Sequence, residues 1–435
     1  MLKSAKIDET VNKIGDFLGM GSYPNKLFSW LPQLNPQVWI LALGRLLSQI
    51  GSGFTLFYAP IFFVNQVGLS ATAVGIGIGS GQICGIIGRI LGGSFSDSPK
   101  WGRRQTLILS AIISAIASFV LASAQDFFTV VLGNLILGLG VGLYWPATEA
   151  VIADLTVGKQ RNEAYAISRL ADNIGLQIGI IVAGILIATT AAYRVLFVVK
   201  GISFIVYAVV IYWGIQETYK PHLSNLSDQK PDLKKSWQQA LSDRTLLTFV
   251  AVNILFTLYI SQVHTAIPLY LNNFVKPQLS PTVISGLFTG HIAISVLLQL
   301  PVARILSRWS HAQALMVSAS IWGIGFVFIF LMGIAGENLL IYGILALGIL
   351  AIATISYTPS ASALVADLAP ESLRGTYLAI NAQCWAIGYL IGPPLGGWAL
   401  DQSPQTVYRY WLFLAFSVIL GILILYSLNQ QIKNN

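Results

Sequence analysis

The sequence predicts an all-α integral membrane protein whose twelve transmembrane helices form two pseudo-symmetric six-helix bundles. Three observations predict it. Long apolar runs recur along a chain that is 55% hydrophobic and only 10% charged, with a mean hydropathy of +0.71. A water-soluble chain of 435 residues has too few charges here to cover its surface. A polar stretch with Pro221, Pro231 and mixed charge separates the apolar runs into two sets, and the second set repeats the first.

A helical crossing needs about 20 apolar residues. Windows of that kind predict spans at 38–64, 73–96, 105–124, 128–153, 164–190 and 194–214, then at 246–271, 283–306, 312–334, 339–366, 376–400 and 408–428. The expected organisation is a cytoplasmic segment 1–37, a bundle 38–214, a cytoplasmic linker 215–245, a bundle 246–428 and a cytoplasmic tail 429–435. The first segment has no apolar signal core. Ile7, Val11, Ile14 and Phe17 recur at helical spacing there, which fits either a helix lying on the membrane surface or a disordered tail. Cys84 and Cys384 lie inside spans of opposite halves and read as small core residues, with no disulfide or metal site.

The net charge of +8 matters through its distribution. With the amino terminus inside, eighteen of the 25 basic residues fall in cytoplasmic segments and only Arg194, Lys276 and Arg409 in outer loops. That bias places both termini in the cytoplasm.

The repeat has an offset of 213 residues, Tyr357 falling on Tyr144. Pro359 then meets Pro146, Asp367 meets Asp154 and Arg374 meets Arg161. The glycines Gly388, Gly392 and Gly397 meet Gly175, Gly179 and Gly184 without a gap. Duplicated halves of six helices imply a cavity between them near the membrane midplane. The recurring Gly175, Gly179, Gly388 and Gly392 are positions for close helix approach.

Between the second and third spans runs Gly93-Ser94-Phe95-Ser96-Asp97, then Ser98-Pro99 and Lys100-Trp101-Gly102-Arg103-Arg104. A short loop with cations between two apolar spans is a cytoplasmic turn. This loop resembles the signature of the major facilitator superfamily, Gly-x-Leu-Ala-Asp-Arg-x-Gly-Arg-Arg. Phe95 and Ser96 replace the Leu and Ala, and Ser98-Pro99 is inserted. The resemblance covers about residues 36 to 428 and implies the major facilitator fold, alternating access, and a gate built from signature charges and an acid at the inner end of the fourth helix. Carried over, these are Asp97, Lys100, Arg103, Arg104 and Asp154, with Arg161 beyond; a loop that merely orients helices is the plainer reading. Gly93 and Gly102 are the loop's structural glycines.

Ionisable residues inside spans are costly in lipid and are functional candidates. Arg169 and Asp172 share a helix face. One reading pairs Arg169 with Asp172 and Glu149 with Arg161 near the headgroups. The other makes Glu149 or Asp172 a proton carrier, with His264 and His291 as further proton-coupling candidates. Arg45 either snorkels to the headgroups or faces the cavity, and Arg89 either holds an anionic substrate or compensates Glu149 or Asp172. The other cavity candidates are Gln82, Asn134, Tyr144, Trp145, Arg169, Gln262, Tyr357 and Trp385.

The multidrug, drug/proton antiporter branch usually carries an Arg in the fourth helix, where this chain has Asn134 ahead of Gly138. Its fifth-helix Gly-x-x-x-Gly-Pro appears here as Gly388, Gly392 and Pro393 in the eleventh. No phosphate-cradling loop, metal spacing or catalytic set is seen, so no enzyme, cofactor or metal site is expected. Dispersed basic residues exclude a nucleic-acid binder. The expected function is secondary active transport, proton-coupled efflux of small apolar or cationic molecules by a monomer resident in the cell's inner membrane. A transporter of a specific metabolite or organic anion is the alternative, and a transport-inactive receptor or scaffold a third.

Overall fold

In the computed structural model, which describes residues 34–219, 233–334, 338–370 and 373–434, every regular element is helical. The first half supplies α1 (Pro36–Leu56), α2 (Tyr58–Asn65), α3 (Ala71–Ser96), α4 (Gly102–Ala122), α5 (Phe127–Leu155), α6 (Gly158–Thr190) and α7 (Tyr193–Gly214). After α8 (Leu233–Ser242) come α9 (Arg244–His264), α10 (Ala266–Asn273), α11 (Pro281–Leu306), α12 (His311–Ile334), α13 (Leu339–Leu368), α14 (Arg374–Leu400) and α15 (Pro404–Asn434). The segment read as either a surface helix or a disordered tail, up to residue 33, and the middle of the linker, 220–232, fall outside the described residues.

Ten helical stretches among the described residues are long and apolar enough to cross a bilayer, and α1 with α2, bent by 41°, makes an eleventh. The expected span at 376–400 is a continuous helix of 27 residues, long enough to cross. It is less apolar than the other ten because Asn381, Gln383, two prolines and five glycines dilute it. In lipid, the backbone groups of such a segment must be satisfied within the helix.

The helices start where their first N–H groups find acceptors. At α5 the Asp126 carboxylate accepts from the Thr129 N–H at 2.8 Å, while Thr129 Oγ1 accepts from the Asp126 N–H at 3.3 Å. The Thr129 N–H holds the Asp126 carboxyl below its usual range.

The chain forms two compact units. One takes the residues up to Leu56, Ile83–Ala183 and Ala192–Leu223; the other takes Phe57–Gln82, Gly184–Ala191 and everything from Ser224 on. In the first, α4 packs on α5 and α7, and α7 on α1. In the second, α12 packs on α13 and α15, and α15 on α9, the same pairings one repeat later. Within the first unit α1 and α6 cross at glycines: a Cβ built on Gly179 would stand 2.9 Å from Gly53 Cα. A side chain there must push the helices apart, and with them everything the crossing aligns. Gly179→Leu is therefore expected to lower the thermal midpoint of the purified protein by several degrees, since overpacking costs about 1–3 kcal/mol; an unchanged midpoint would show that the crossing yields freely.

Candidate functional site

The signature turn builds a cluster around Arg103. Gly102 has φ +74°, a conformation that L side chains avoid, and a Cβ there would collide with the Glu217 carboxylate. That carboxylate accepts from the N–H groups of Arg103 (2.8 Å) and Arg104 (3.1 Å), so Glu217, beyond α7, caps α4 from more than 100 residues away. With the helix start fixed, the Arg103 guanidinium reaches Asp97 at 3.0 Å and Asp154 at 3.1 Å and bonds the Ser96 carbonyl. Thr218 Oγ1 donates to Asp154 at 2.9 Å, and the Tyr219 ring lies 4.8 Å from the guanidinium. Asp97 is 73% exposed. A bridge to so wet a carboxylate contributes only about 0.2–1 kcal/mol, whereas Asp154 is 30% exposed and its contact with Arg103 more sheltered. Lys100 is exposed, Arg104 bonds the Tyr212 carbonyl and covers its ring, and a Cβ on Gly93 would meet open space. Among the described residues Arg161 joins no acid. Its Nη2 takes the Ala153 and Thr156 carbonyls at 3.0 Å each, satisfying the open end of α5.

Deeper in the same unit lies a buried ion pair. Arg45 on α1 is 2% exposed and grips Asp172 on α6 with two bonds, Nε at 3.0 Å and Nη2 to the second oxygen. The expected partner of Asp172, Arg169, turns away and lies 5.3 Å from the Trp145 ring, while Arg45 covers the same ring at 5.5 Å. The reason is the crossing: Gly175, one turn past Asp172, packs on Leu46 of α1, next to Arg45. A carboxylate at that contact meets the guanidinium opposite sooner than the one on its own helix. Tyr144 also faces Arg45, at 5.7 Å, and leans on Tyr207. Arg45 therefore does not snorkel. Glu149 is exposed and within electrostatic reach of half-buried Arg89 rather than bridged to Arg161. Gln82 is half-buried, and Asn134 bonds the Val130 carbonyl of its own helix.

In the second unit, most of the polar candidates are locked into packing. Gln262, fully buried, donates to the Gly392 carbonyl at 2.9 Å and accepts from Tyr410 at 2.9 Å, tying α9 to α14 and α15. Gly388 faces Thr257. His291 Nδ1 lies 2.8 Å from the Leu347 carbonyl, which only accepts, so Nδ1 carries the hydrogen. His264 meets the Tyr389 hydroxyl at 2.6 Å. Tyr389 stacks on Trp385, which leans on Tyr357, itself stacked on Phe256 and bonded to Asn253. This aromatic row runs from α9 to α14.

Residues 41–277 and 265–434 match the Major Facilitator Superfamily. The chain belongs to that superfamily. It is a multi-pass membrane transporter. The chain is 24% identical over 404 residues to the multidrug resistance protein MdtH of Photorhabdus laumondii, covering 90% of this chain and 94% of the relative. It is 25% identical over 377 residues to MdtH of Aeromonas hydrophila, covering 86% and 90%. Among solved structures, the fold is shared with a peptide transporter POT in complex with sulfate (TM-score 0.74, 14% identity, 92% of this chain and 97% of that one). It is shared equally with a variant of the nucleoside transporter NupG (TM-score 0.75, 14% identity, 90% and 99%).

Two acids that sequence reasoning passed over hold this facilitator's helices in place. One is Glu217. The other is Asp401, just past α14, which accepts from the N–H groups of Ala71 (2.8 Å) and Thr72 (2.7 Å) and from Thr72 Oγ1 (2.5 Å). It caps α3 across 330 residues of sequence, beside a reciprocal amide pair of Asn65 and Asn273 at 2.8–2.9 Å. The only available signal was an acid directly after a predicted span. Asp401→Ala removes the acceptor of the Ala71 and Thr72 amides and leaves Ser70 Oγ on the Ala73 N–H, and hydrogen exchange at the Ala71 and Thr72 amides should rise about fivefold, the equivalent of ~1 kcal/mol; unchanged exchange would show that the carboxylate does not hold the helix start.

Proposed function

We propose that the protein exports small apolar or cationic molecules against a proton gradient, with Asp172 as the group that takes up and releases the proton. The observation that carries this is the buried Arg45–Asp172 pair against Trp145. Protonating Asp172 leaves a guanidinium withdrawn from water without its counter-charge, and breaking such a pair costs about 3–5 kcal/mol. Proton uptake at this site is therefore affordable only when the surroundings rearrange and admit water or a substrate group to Arg45. That link between a proton and a rearrangement is what coupling requires. The Trp145 and Tyr144 rings give apolar and cationic molecules a face to lie against, and the resemblance to proteins named for multidrug resistance supports the same substrate class.

The proposal places both termini in the cytoplasm, with bundles at 38–214 and 246–428 acting as the moving parts. The Arg103 cluster is then the cytoplasmic gate and the Asp401 cap a hold at the outer end. Glu149, exposed near Arg89, is the second candidate for the proton. A competing reading, transport of an organic anion, draws on one observation: guanidinium groups of Arg45 and Arg169 flank a single Trp145 ring.

Proteoliposomes with an imposed pH gradient and ethidium as probe test both parts. Asp172→Asn should lower gradient-driven ethidium movement at least about tenfold, the scale of a lost coupling of 1–3 kcal/mol, while Asp172→Glu keeps part of it. If the Asn variant remains driven by the gradient, Asp172 is not the carrier. For the gate, Asp97→Asn should slow transport severalfold with insertion and yield unchanged; full transport in that variant removes Asp97 from the gate.

A further inference from the structure

The duplication places one charge contact in the same position in each half. In the first half α5 contains Pro146 and, eight residues on, Asp154, which meets Arg103 in the first turn of α4 at 3.1 Å. In the second half α13 contains Pro359 and, eight residues on, Asp367. That acid meets His311, the first residue of α12, with Nε2 3.3 Å from Oδ2. The spacing is repeated and the cation is not. An arginine keeps its charge at any physiological pH, whereas a histidine gains and loses one there.

The needs of the two helices do not explain the pair. A cation at a helix start and an acid at a helix end each face the like pole of their own macrodipole. Contact with one another offsets both misplacements. Nor does α12 need His311 in order to begin. Ser310 Oγ accepts from the Gln313 N–H at 3.2 Å, and Gln313 Oε1 accepts from the Ser310 N–H at 3.1 Å, a reciprocal cap. The His311 ring makes no hydrogen bond among the described residues, so charge is what draws it to the carboxylate.

The surroundings offer no rival acid among the described side chains. Helix α12 has no Asp, Glu, Lys or Arg, and Asp367 is the one such residue on α13. Helix α15 brings the neutral Asn429, which accepts from Ser310 Oγ at 3.2 Å, with Lys433 one turn on. Arg304 and Arg308 stand at the end of α11, and Arg374 opens α14. His311 is 40% exposed and Asp367 67%, so the pair answers to the pH of the water around it.

The proline gives the contact its leverage. Pro359 has no N–H to offer the Ile355 carbonyl, and a missing ladder bond leaves a joint where a helix bends. Residues 360–368 are thus an arm beyond a joint, tied near its far end to α12. Tyr357, two residues before the joint, belongs to the aromatic row through Phe256 and Asn253.

We propose that His311 and Asp367 form a pH-operated brace. Protonated His311 holds the arm beyond Pro359 against the start of α12, and loss of the proton to solvent water releases it. The equivalent arm beyond Pro146, held by Arg103, does not respond. An exposed pair shifts an opening equilibrium by up to about fivefold, so the brace grades the motion of the arm rather than blocking it. It acts within the second unit and stands without the reading of Asp172 given above.

Hydrogen exchange of the purified full chain in nanodiscs reads both arms in one sample. It is measured at about pH 5.5 and about pH 8, either side of the ordinary histidine range, and corrected for intrinsic rates. Exchange over 360–368 should rise about threefold at the higher pH, while exchange over 147–155 stays level. An equal rise in both arms, or no rise over 360–368, overturns the brace. His311→Arg keeps the charge at both pH values, and the rise should vanish with exchange slow throughout. A rise that persists in this variant shows that His311 is not the switch. Asp367→Asn and His311→Gln should each exchange fast at both pH values, and slow exchange in either overturns the proposal as well. None of these readings uses transport, so a failure of the Asp172 reading leaves them unaffected.

Discussion

Withdrawing a charge or a dipole from water inside a bilayer is permitted only if a partner replaces the water, and much of this molecule's architecture follows from that constraint. The Arg45–Asp172 pair is its sharpest expression. Two helices carrying opposite charges must cross close enough for contact, and the glycines at Gly53, Gly175 and Gly179 provide the closeness. The same demand recurs where Gln262 satisfies both a carbonyl and a tyrosine, and where His291 is pinned to the Leu347 carbonyl. In each case a polar side chain that the sequence offers as a transport candidate also bonds across a contact between helices.

Helix beginnings obey the same rule by an unexpected route. Helix α4 has no local side-chain cap and α3 has Ser70 Oγ on its Ala73 N–H, and at both starts a distant carboxylate takes further N–H groups: Asp401 for α3 and Glu217 for α4. Because the macrodipole is positive at that end, an acid is the fitting partner. A cap supplied by a neighbouring helix is also a tether, so the position of α3 is bound to that of α14 and the position of α4 to the stretch after α7.

The spans, the duplication and the signature turn were legible because they are written in local pattern: apolar run length, an offset of 213 residues, and charges in a short loop. Helix α14 was found by that route too, and its Gly388, Gly392 and Gly397 fall in register with Gly175, Gly179 and Gly184 of the first half. Partner choice was not legible. Spacing on one helix suggested Arg169 for Asp172, whereas Arg45, 127 residues away, holds it. Periodicity reports which residues share a face and is silent about which foreign helix that face meets.

The break between α1 and α2 is the feature with the widest reach. The chain bends there by 41°, and the boundary between the two compact units falls at the same place, between Leu56 and Phe57. A continuous helix transmits any tilt along its whole length. One that is bent does not carry a tilt straight through the bend. Phe57 stacks on Phe288 at 3.9 Å, while Thr55, two residues earlier, receives the ammonium of Lys200 at 3.0 Å. A single membrane crossing thus has its neighbours in both compact units, Lys200 before the break and Phe288 after it.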